Sequence, residues 1–266
     1  MTFHPRLVAL DIDGTLLGAD GTLPDAVREA VHRVVAAGVP VVLATGRSWI
    51  STSWVVEQLG LPPGVAICAN GAQTISYPPA MILHEELFDP ADTIAKVARV
   101  APQAAIAVPD KEHWRVSKGF PPGELSGEKV VVESLEELSS RPVPRVVICD
   151  PNSSDEVFVE MAESLGLHEV SYFVGWSAWM DISPLGTDKA AALARVAAEL
   201  GVDQRDVLAI GDGRNDIEML TWAGRGVAMG NAPAEVKAVA DHVAADFTAG
   251  GTVIELDRWF PGQAAN

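Results

Sequence analysis

Short apolar runs alternate with longer amphipathic segments along much of the chain. Residues 7–10 (LVAL) form a continuous apolar run, typical of a strand buried on both faces of a parallel sheet, and the run ends at Asp11. The amphipathic segment from Pro24 to Gly38 has proline early and glycine just after its end, as expected for a helix. Two more apolar runs, VPVVLATG and VAICANG, flank a further helical pattern. This alternation predicts a parallel α/β sheet.

The regular alternation of apolar runs and helical patterns is interrupted between Ala72 and Pro184. This stretch contains two helical patterns and four short runs typical of strands, namely MILHEEL, KVVVES, RVVICD and WMDISP. After it, helical patterns alternate again with the apolar runs VLAIGD and GVAMG. The sequence therefore predicts a doubly wound, Rossmann-like α/β core formed by residues 1–82 and 185–266. An α+β domain, residues 83–184, is inserted into it.

Several predicted core strands end in polar residues. In open parallel sheets, ligands bind in the crevice at the carboxyl ends of the strands. The residues that would meet there are Asp11 and Asp13 at the end of the first strand, Thr45 and Gly46 at the end of the second, Asn70 at the end of the third, and Asp212 at the end of VLAIGD. The sequence thus predicts one polar site on one rim of the core.

Charge indicates what this rim would bind. The 266 residues include 19 basic and 36 acidic side chains, for a net charge of -17, which disfavours nucleic acid and anionic membrane as partners. If this rim bound an anionic ligand such as a phosphate ester, a protein this acidic would need a local positive centre, which a carboxylate-bound divalent cation could supply. Hard oxygen ligands suit Mg²⁺ better than zinc. Mg²⁺ is therefore the expected cofactor.

The sequence also predicts where the protein is located and the redox state of its two cysteines. The first ten residues do not have the charged start, apolar stretch and cleavage site of a signal peptide, and no apolar run approaches the length of a bilayer span. The expected location is the cytoplasm. Cys68 and Cys149 each lie at the end of an apolar run, and we expect both to be reduced core thiols.

Asp11 and Asp13 are the predicted catalytic pair. One residue separates them, so both side chains can face the crevice. We assign Asp11 as the nucleophile that forms an aspartyl phosphate. Asp13 is assigned as the acid that protonates the leaving alcohol and later as the base for water.

The remaining candidates are phosphate and metal ligands. The predicted phosphate contacts are Thr45, Gly46, Arg47, Lys189 and Asn215. Arg47 has the alternative of pairing with an acidic neighbour. The predicted metal ligands are Asp11, Asp13, Asp212 and Asp216, of which the last two lie on the glycine turn GDGRND.

In order along the chain, DIDGTLL, ATGR, a lysine after the insert and GDGRND resemble the motifs of the haloacid dehalogenase superfamily. The large insert, NGA at Asn70–Ala72 and MGNA at Met229–Ala232 resemble its Cof-type phosphatases, subclass IIB. The resemblance spans nearly the whole chain. The chain departs from the family pattern at GTDK. A small residue usually precedes the lysine in the family, whereas this chain has Asp188 there.

The resemblance implies a role for each matching residue. It implies a nucleophile at Asp11, an acid/base at Asp13, and metal binding by Asp11, the Asp13 carbonyl and Asp212. Asp216 is then a metal ligand or a support for one. The insert is implied to be a cap domain that closes over the crevice and selects a small phosphorylated metabolite, with sugar phosphates as the family expectation.

Three functions fit these residues. The leading hypothesis is a magnesium-dependent phosphatase acting on a small phosphate monoester. The alternatives are a sugar phosphomutase of the same branch and a catalytically silent sensor of a phosphorylated metabolite. A dinucleotide site is disfavoured because GDGRND lacks the third glycine of GxGxxG and does not open the first βα unit.

Overall fold

The structure, a computed structural model, describes residues 3–110, 113–120, 125, 129–150, 152, 170–174 and 179–262, with the backbone alone for 170–174 and 179. The chain divides into two compact units, Met1–His84 with Asp188–Asn266, and Glu85–Thr187. The strands β1 to β14 span Leu7–Leu10, Val41–Ala44, Gly64–Cys68, Gln73–Tyr77, Met81–Glu85, Ala105–Pro109, Trp114–Val116, Val130–Val132, Val146–Cys149, Val170–Val174, Trp179–Pro184, Val207–Gly211, Arg225–Ala228 and His242–Val243. The helices α1 to α8 span Asp25–Ala36, Trp49–Leu59, Ala91–Val100, Leu135–Leu138, Lys189–Glu199, Ile217–Trp222, Ala234–Val239 and Gly251–Trp259.

The first unit contains an eight-stranded sheet in the order β14-β13-β12-β1-β2-β3-β4-β5. Its strands from β14 through β3 run parallel, and β4 pairs antiparallel with β3. β1 lies near the middle, where Leu7 is opposite Val207 of β12 and Val8 is opposite Val41 of β2. The predicted doubly wound α/β core is confirmed.

Helices cover both faces of this sheet, which explains why β1 is apolar throughout. Val8 and Leu10 pack against side chains of α1, α2 and α8 on one face. Leu7 and Ala9 pack against α5, α6 and α7 on the other. All four side chains are fully buried. The continuous apolar run therefore fixes the position of Asp11, the first polar residue after it.

The strand β5 differs from the sequence prediction. Its sequence was listed with the strands of the insert, and the predicted boundary between residues 82 and 83 falls within it, but β5 lies next to β4 at the edge of the core sheet. Only residues 78–80 connect the two strands, so the chain returns directly beside β4. The change of rhythm after Ala72 marks a change from parallel to antiparallel pairing within the core sheet.

The second unit is built on a six-stranded sheet in the order β10-β11-β9-β6-β7-β8. All its pairings are antiparallel except β7 with β8. Ile94 and Val97 of α3 pack against Ile106 and Ile148 on one face of this sheet. The inserted domain is thus α+β, as predicted.

Cys68 and Cys149 are both buried and do not form a disulfide with each other, as expected for core thiols. Within the ranges that the structure describes, no helix combines the length and the apolar character that crossing a bilayer requires.

Candidate active site

Asp11 is held at the carboxyl end of the core sheet by the backbone. Its amide donates a hydrogen bond to the carbonyl of Ile210 at 3.0 Å, which continues the β1–β12 ladder by one residue. Thr45 continues the β2–β3 ladder in the same way, because its amide donates to the carbonyl of Ile67 at 2.9 Å. The loops after β1 and β2 therefore leave the sheet side by side.

Lys189 joins two of the predicted acidic residues. Its Nζ lies 2.6 Å from Oδ1 of Asp11 and 2.6 Å from Oδ1 of Asp216. The side chains of Lys189 and Asp216 are completely buried, and that of Asp11 is 8% exposed. A buried ammonium between two carboxylates is strongly attracted to both, since little water screens them.

Asp188, the departure from the family motif, has a local role. It is the N-cap residue of α5, and its side chain accepts a hydrogen bond from the amide of Ala191 at 2.8 Å. Aspartate is among the best N-cap residues because it satisfies an amide that has no partner within the helix. Asp188 therefore fixes the start of the helix that carries Lys189.

Asp216 organises the glycine turn after β12. Its Oδ2 accepts hydrogen bonds from the amides of Asp212 at 2.9 Å and Gly213 at 2.8 Å. A Cβ on Gly211 would lie 2.4 Å from Cγ of Asp216, so only glycine fits there. Both oxygens of Asp216 are thus engaged, one by the turn and one by Lys189.

Burial and neighbouring charges shift the pKa values of Asp11, Asp212 and Lys189. Burial, followed by repulsion from Asp216, raises the pKa of Asp11 well above its ordinary value, and Lys189 opposes this shift. The same two causes raise the pKa of Asp212 to about 7. Burial by itself lowers the pKa of Lys189, but the carboxylates of Asp11 and Asp216 raise it above its ordinary value. Lys189 therefore stays charged, while the carboxylates are short of positive charge.

A divalent cation would supply the positive charge that these carboxylates lack. Oxygen atoms of Asp11, Asp212 and Asp216 all lie within 4.8 Å of one another. A set of carboxylate oxygens without histidine or cysteine suits Mg²⁺. The side chain of Asp13 is not in this cluster, so Asp13 could contribute to a metal site through its carbonyl, as the resemblance implied.

Asp13 instead pairs with Arg47. Nε and Nη2 of Arg47 lie 2.9 Å and 2.6 Å from the two carboxylate oxygens of Asp13, which makes a bidentate contact. The Asp13 side chain is 59% exposed. Arg47, predicted as a phosphate contact, here takes the alternative of pairing with an acidic neighbour, and it orients the carboxylate assigned as the acid.

The remaining predicted phosphate contacts surround Asn70. Thr45 is almost fully buried, and its hydroxyl accepts a hydrogen bond from the amide of Arg47 at 3.1 Å. Asn215 donates from Nδ2 to Oδ1 of Asn70 at 2.8 Å. A Cβ on Gly46 would lie 3.0 Å from the same oxygen, which favours glycine there. Asn70, with a left-handed φ of 53°, therefore links the loops after β2, β3 and β12.

Sequence reasoning missed two threonines. The hydroxyl of Thr15 lies 3.4 Å from Oδ1 of Asp212, and the hydroxyl of Thr252 in α8 donates to the carbonyl of Thr15 at 2.6 Å. Thr15 lies within the motif DIDGTLL, which was a signal. Thr252 belongs to no motif, so only the fold brings it to the loop after β1.

The raised pKa of Asp212 predicts how binding of a divalent cation such as Mg²⁺ at this cluster would depend on pH. An exposed aspartate has a pKa of about 4, whereas the pKa of Asp212 is raised to about 7. A raised pKa stabilises the metal-free fold at low pH, and this contribution is lost as pH rises from about 4 to about 7. Because Mg²⁺ must displace the proton at low pH, we expect it to stabilise the protein mainly at higher pH.

Thermal unfolding with Mg²⁺ or with a chelator tests this prediction. At about pH 8, Mg²⁺ at about 100 times its Kd should raise Tm by about 5 to 10 °C. At about pH 5.5 the same concentration should give about a third of that shift or less. Asp212→Asn, which removes the titrating group, should abolish most of the shift at both pH values. An equal Mg²⁺ shift at both pH values in the wild type would contradict the prediction.

The comparisons with known proteins agree on one family. A model of haloacid dehalogenase-like hydrolases matches residues 8–256. HMP-PP phosphatase of Cronobacter sakazakii is 28% identical over 243 residues, covering 90% of this chain and 89% of that protein. The 5-amino-6-(5-phospho-D-ribitylamino)uracil phosphatase YcsE of Bacillus subtilis is 28% identical over 271 residues, covering 96% of this chain and 95% of its own length.

A solved structure has the same fold. The crystal structure of a haloacid dehalogenase-like hydrolase from Bacteroides thetaiotaomicron superposes with a TM-score of 0.82 at 24% identity. The match covers 96% of this chain and 100% of that one. The core and the insert therefore both have a counterpart in a known protein.

Proposed function

The chain is a phosphatase of the haloacid dehalogenase-like hydrolase family, and we propose that it uses Mg²⁺ and an aspartyl phosphate on Asp11. Its substrate would be a small phosphate monoester. The observation that carries this proposal is the buried Asp11 carboxylate, which is held 2.6 Å from the ammonium of Lys189 and belongs to a cluster of three carboxylates.

The first half-reaction transfers the phosphoryl group to the protein. A carboxylate oxygen of Asp11 attacks phosphorus, and the bond from phosphorus to the ester oxygen breaks. Asp13 gives its proton to the leaving alcohol. Lys189 favours the ionised form of Asp11 and adds positive charge beside the phosphoryl oxygens, to which Thr45 donates a hydrogen bond.

The second half-reaction restores the protein. The Asp13 carboxylate takes a proton from water, whose oxygen attacks phosphorus and breaks the bond to Asp11. Inorganic phosphate leaves, Asp11 is again a carboxylate and Asp13 again carries a proton. Arg47 would support this step, because its bidentate contact orients the ionised Asp13 carboxylate.

The proposed metal ligands are Asp11, Asp212 and the carbonyl of Asp13. When bound, Mg²⁺ would supply the positive charge that reduces repulsion between an anionic nucleophile and an anionic phosphate ester. Both oxygens of Asp216 already accept hydrogen bonds. We therefore propose that Asp216 supports the site by holding Lys189 and the turn that carries Asp212.

The substrate is proposed to be a sugar phosphate or a related phosphorylated metabolite. One relative is named for a phosphorylated ribitylamino compound and another for HMP-PP. Both are small molecules that carry phosphate. The inserted α+β unit would act as the cap domain that distinguishes the leaving group.

A phosphate-release screen tests the proposed reaction. Purified protein with Mg²⁺ is assayed against sugar phosphates, phosphoglycerate derivatives and phosphorylated cofactors. We expect prompt release of inorganic phosphate from at least one simple monoester without any added sugar bisphosphate, and no release in excess chelator. Turnover that required a sugar bisphosphate would indicate a mutase instead.

A different result would indicate a sensor. If no ester in the panel were hydrolysed while one of the compounds raised Tm, the protein would bind a phosphorylated metabolite without turning it over. Either outcome would overturn the proposed phosphatase reaction.

A further inference from the structure

Asn231, in the loop between β13 and α7, contacts the acidic cluster. Its Nδ2 lies 2.9 Å from Oδ2 of Asp212 and 3.2 Å from the carbonyl oxygen of Gly14. Its Oδ1 accepts a hydrogen bond from the amide of Phe247 at 3.0 Å. The donor end of the amide thus faces two acceptors and the acceptor end faces a donor, so only one orientation of the amide satisfies all three groups.

The segment 247–252, which begins at Phe247, contacts the loop after β1 at two further points. The ring of Phe247 lies 3.2 Å from where a Cβ on Gly18 would be. The hydroxyl of Thr252 donates to the carbonyl of Thr15 at 2.6 Å. Asn231 is therefore hydrogen-bonded to segment 247–252, and this segment in turn contacts the loop that carries Asp13 and Gly14.

The Asp212 carboxylate needs a hydrogen-bond donor that holds it in position. Its carboxylate lies close to two other carboxylates, and like charges at this distance repel one another. The contact from Thr15 is long, at 3.4 Å, whereas the contact from Asn231 is 2.9 Å. A Cβ on Gly14 would lie 2.1 Å from Oδ2 of Asp212, so the glycine leaves the carboxylate the room to take this position.

We propose that Asn231 is a positioning residue, which holds the Asp212 carboxylate toward Asp11 and thereby sets the affinity of the site for Mg²⁺. This inference rests on the proposed function and deepens it. It adds to the metal site a residue that does not itself bind the metal. Groups that hydrogen-bond to metal ligands typically change metal affinity by about 10- to 100-fold when they are removed.

The test is Mg²⁺ binding to substrate-free protein, measured by calorimetry for the wild type, Asn231→Ala and Asn231→Leu. Both variants remove the donor, and Leu keeps most of the side-chain volume. We expect the Kd for Mg²⁺ to rise by about 10-fold or more in each. Asn152→Ala, which alters an exposed asparagine in the second unit, is the matched control and should leave the Kd unchanged.

Kinetics provide a second readout. The Mg²⁺ concentration for half-maximal turnover should rise with the Kd, while kcat at saturating Mg²⁺ should stay within about twofold of the wild type. Metal-free Tm values of the variants verify that they fold. A Kd for Mg²⁺ that is unchanged in a folded Asn231 variant would overturn the inference. Absence of Mg²⁺ binding in the wild type would overturn the proposed function instead.

Discussion

Replacing Asp11 with asparagine is expected to lower kcat by at least about 10⁴-fold. The amide has nearly the shape of the carboxylate, but it cannot attack phosphorus to form an acyl phosphate. Stability should respond differently. Asp11→Asn removes one of three carboxylates that repel one another, and Lys189 keeps its contact with Asp216. The metal-free Tm should therefore equal or exceed that of the wild type.

Phosphate release and thermal unfolding in chelator measure these two effects. Asp25→Asn is a suitable control because Asp25 is an exposed aspartate of α1 paired only with Arg28 among its described neighbours. It should leave kcat and Tm nearly unchanged. If Asp11→Asn kept more than about a tenth of wild-type turnover, Asp11 would not be the nucleophile.

Replacing Lys189 with methionine is expected to affect both folding and turnover. Met has a similar length but no charge, so Asp11 and Asp216 would face each other without the ammonium that lies 2.6 Å from each. Removing one partner of a buried ion pair costs about 3 to 5 kcal/mol. For a chain of this size that corresponds to a drop in Tm of about 6 to 20 °C. Loss of positive charge at the reacting group should also reduce kcat/KM by about 10²- to 10³-fold.

A second substitution separates these two effects. Asp216→Asn added to Lys189→Met removes one of the two unpaired carboxylates, and we expect it to restore about half of the lost free energy of unfolding. Turnover should stay low, because the charge beside Asp11 is still missing. A double variant no more stable than Lys189→Met alone would show that repulsion between Asp11 and Asp216 is not the cause of the loss.

The rim of acidic residues was predictable from sequence for a simple reason. Apolar runs that are buried on both faces end abruptly at Asp11 and near Thr45 and Asp212, and parallel strands bring such ends to one edge. The structure places carboxylates of Asp11 and Asp212 within 4.8 Å of each other. Periodicity alone thus predicted that these carboxylates meet at one edge of the sheet.

The contacts of individual side chains were not predictable in the same way. Arg47 pairs with Asp13, and Thr252 holds the loop after β1 from the far end of the chain. These contacts depend on how loops and helices pack, and a local pattern carries no such information. The strand β5 was also grouped with the insert, because a short strand at an antiparallel edge resembles the strands of a separate α+β domain.

In the proposed reaction, Asp11 itself carries the phosphoryl group. The most direct test of this step is mass spectrometry of the peptide that contains Asp11, after acid quench during turnover of a substrate from the screen. In Asp13→Asn, which lacks the base for the second step, we expect this peptide to accumulate with the added mass of one phosphoryl group. Asp11→Asn should show no such peptide. Turnover in the wild type with no phosphorylated Asp11 peptide in either protein that retains Asp11 would contradict the account.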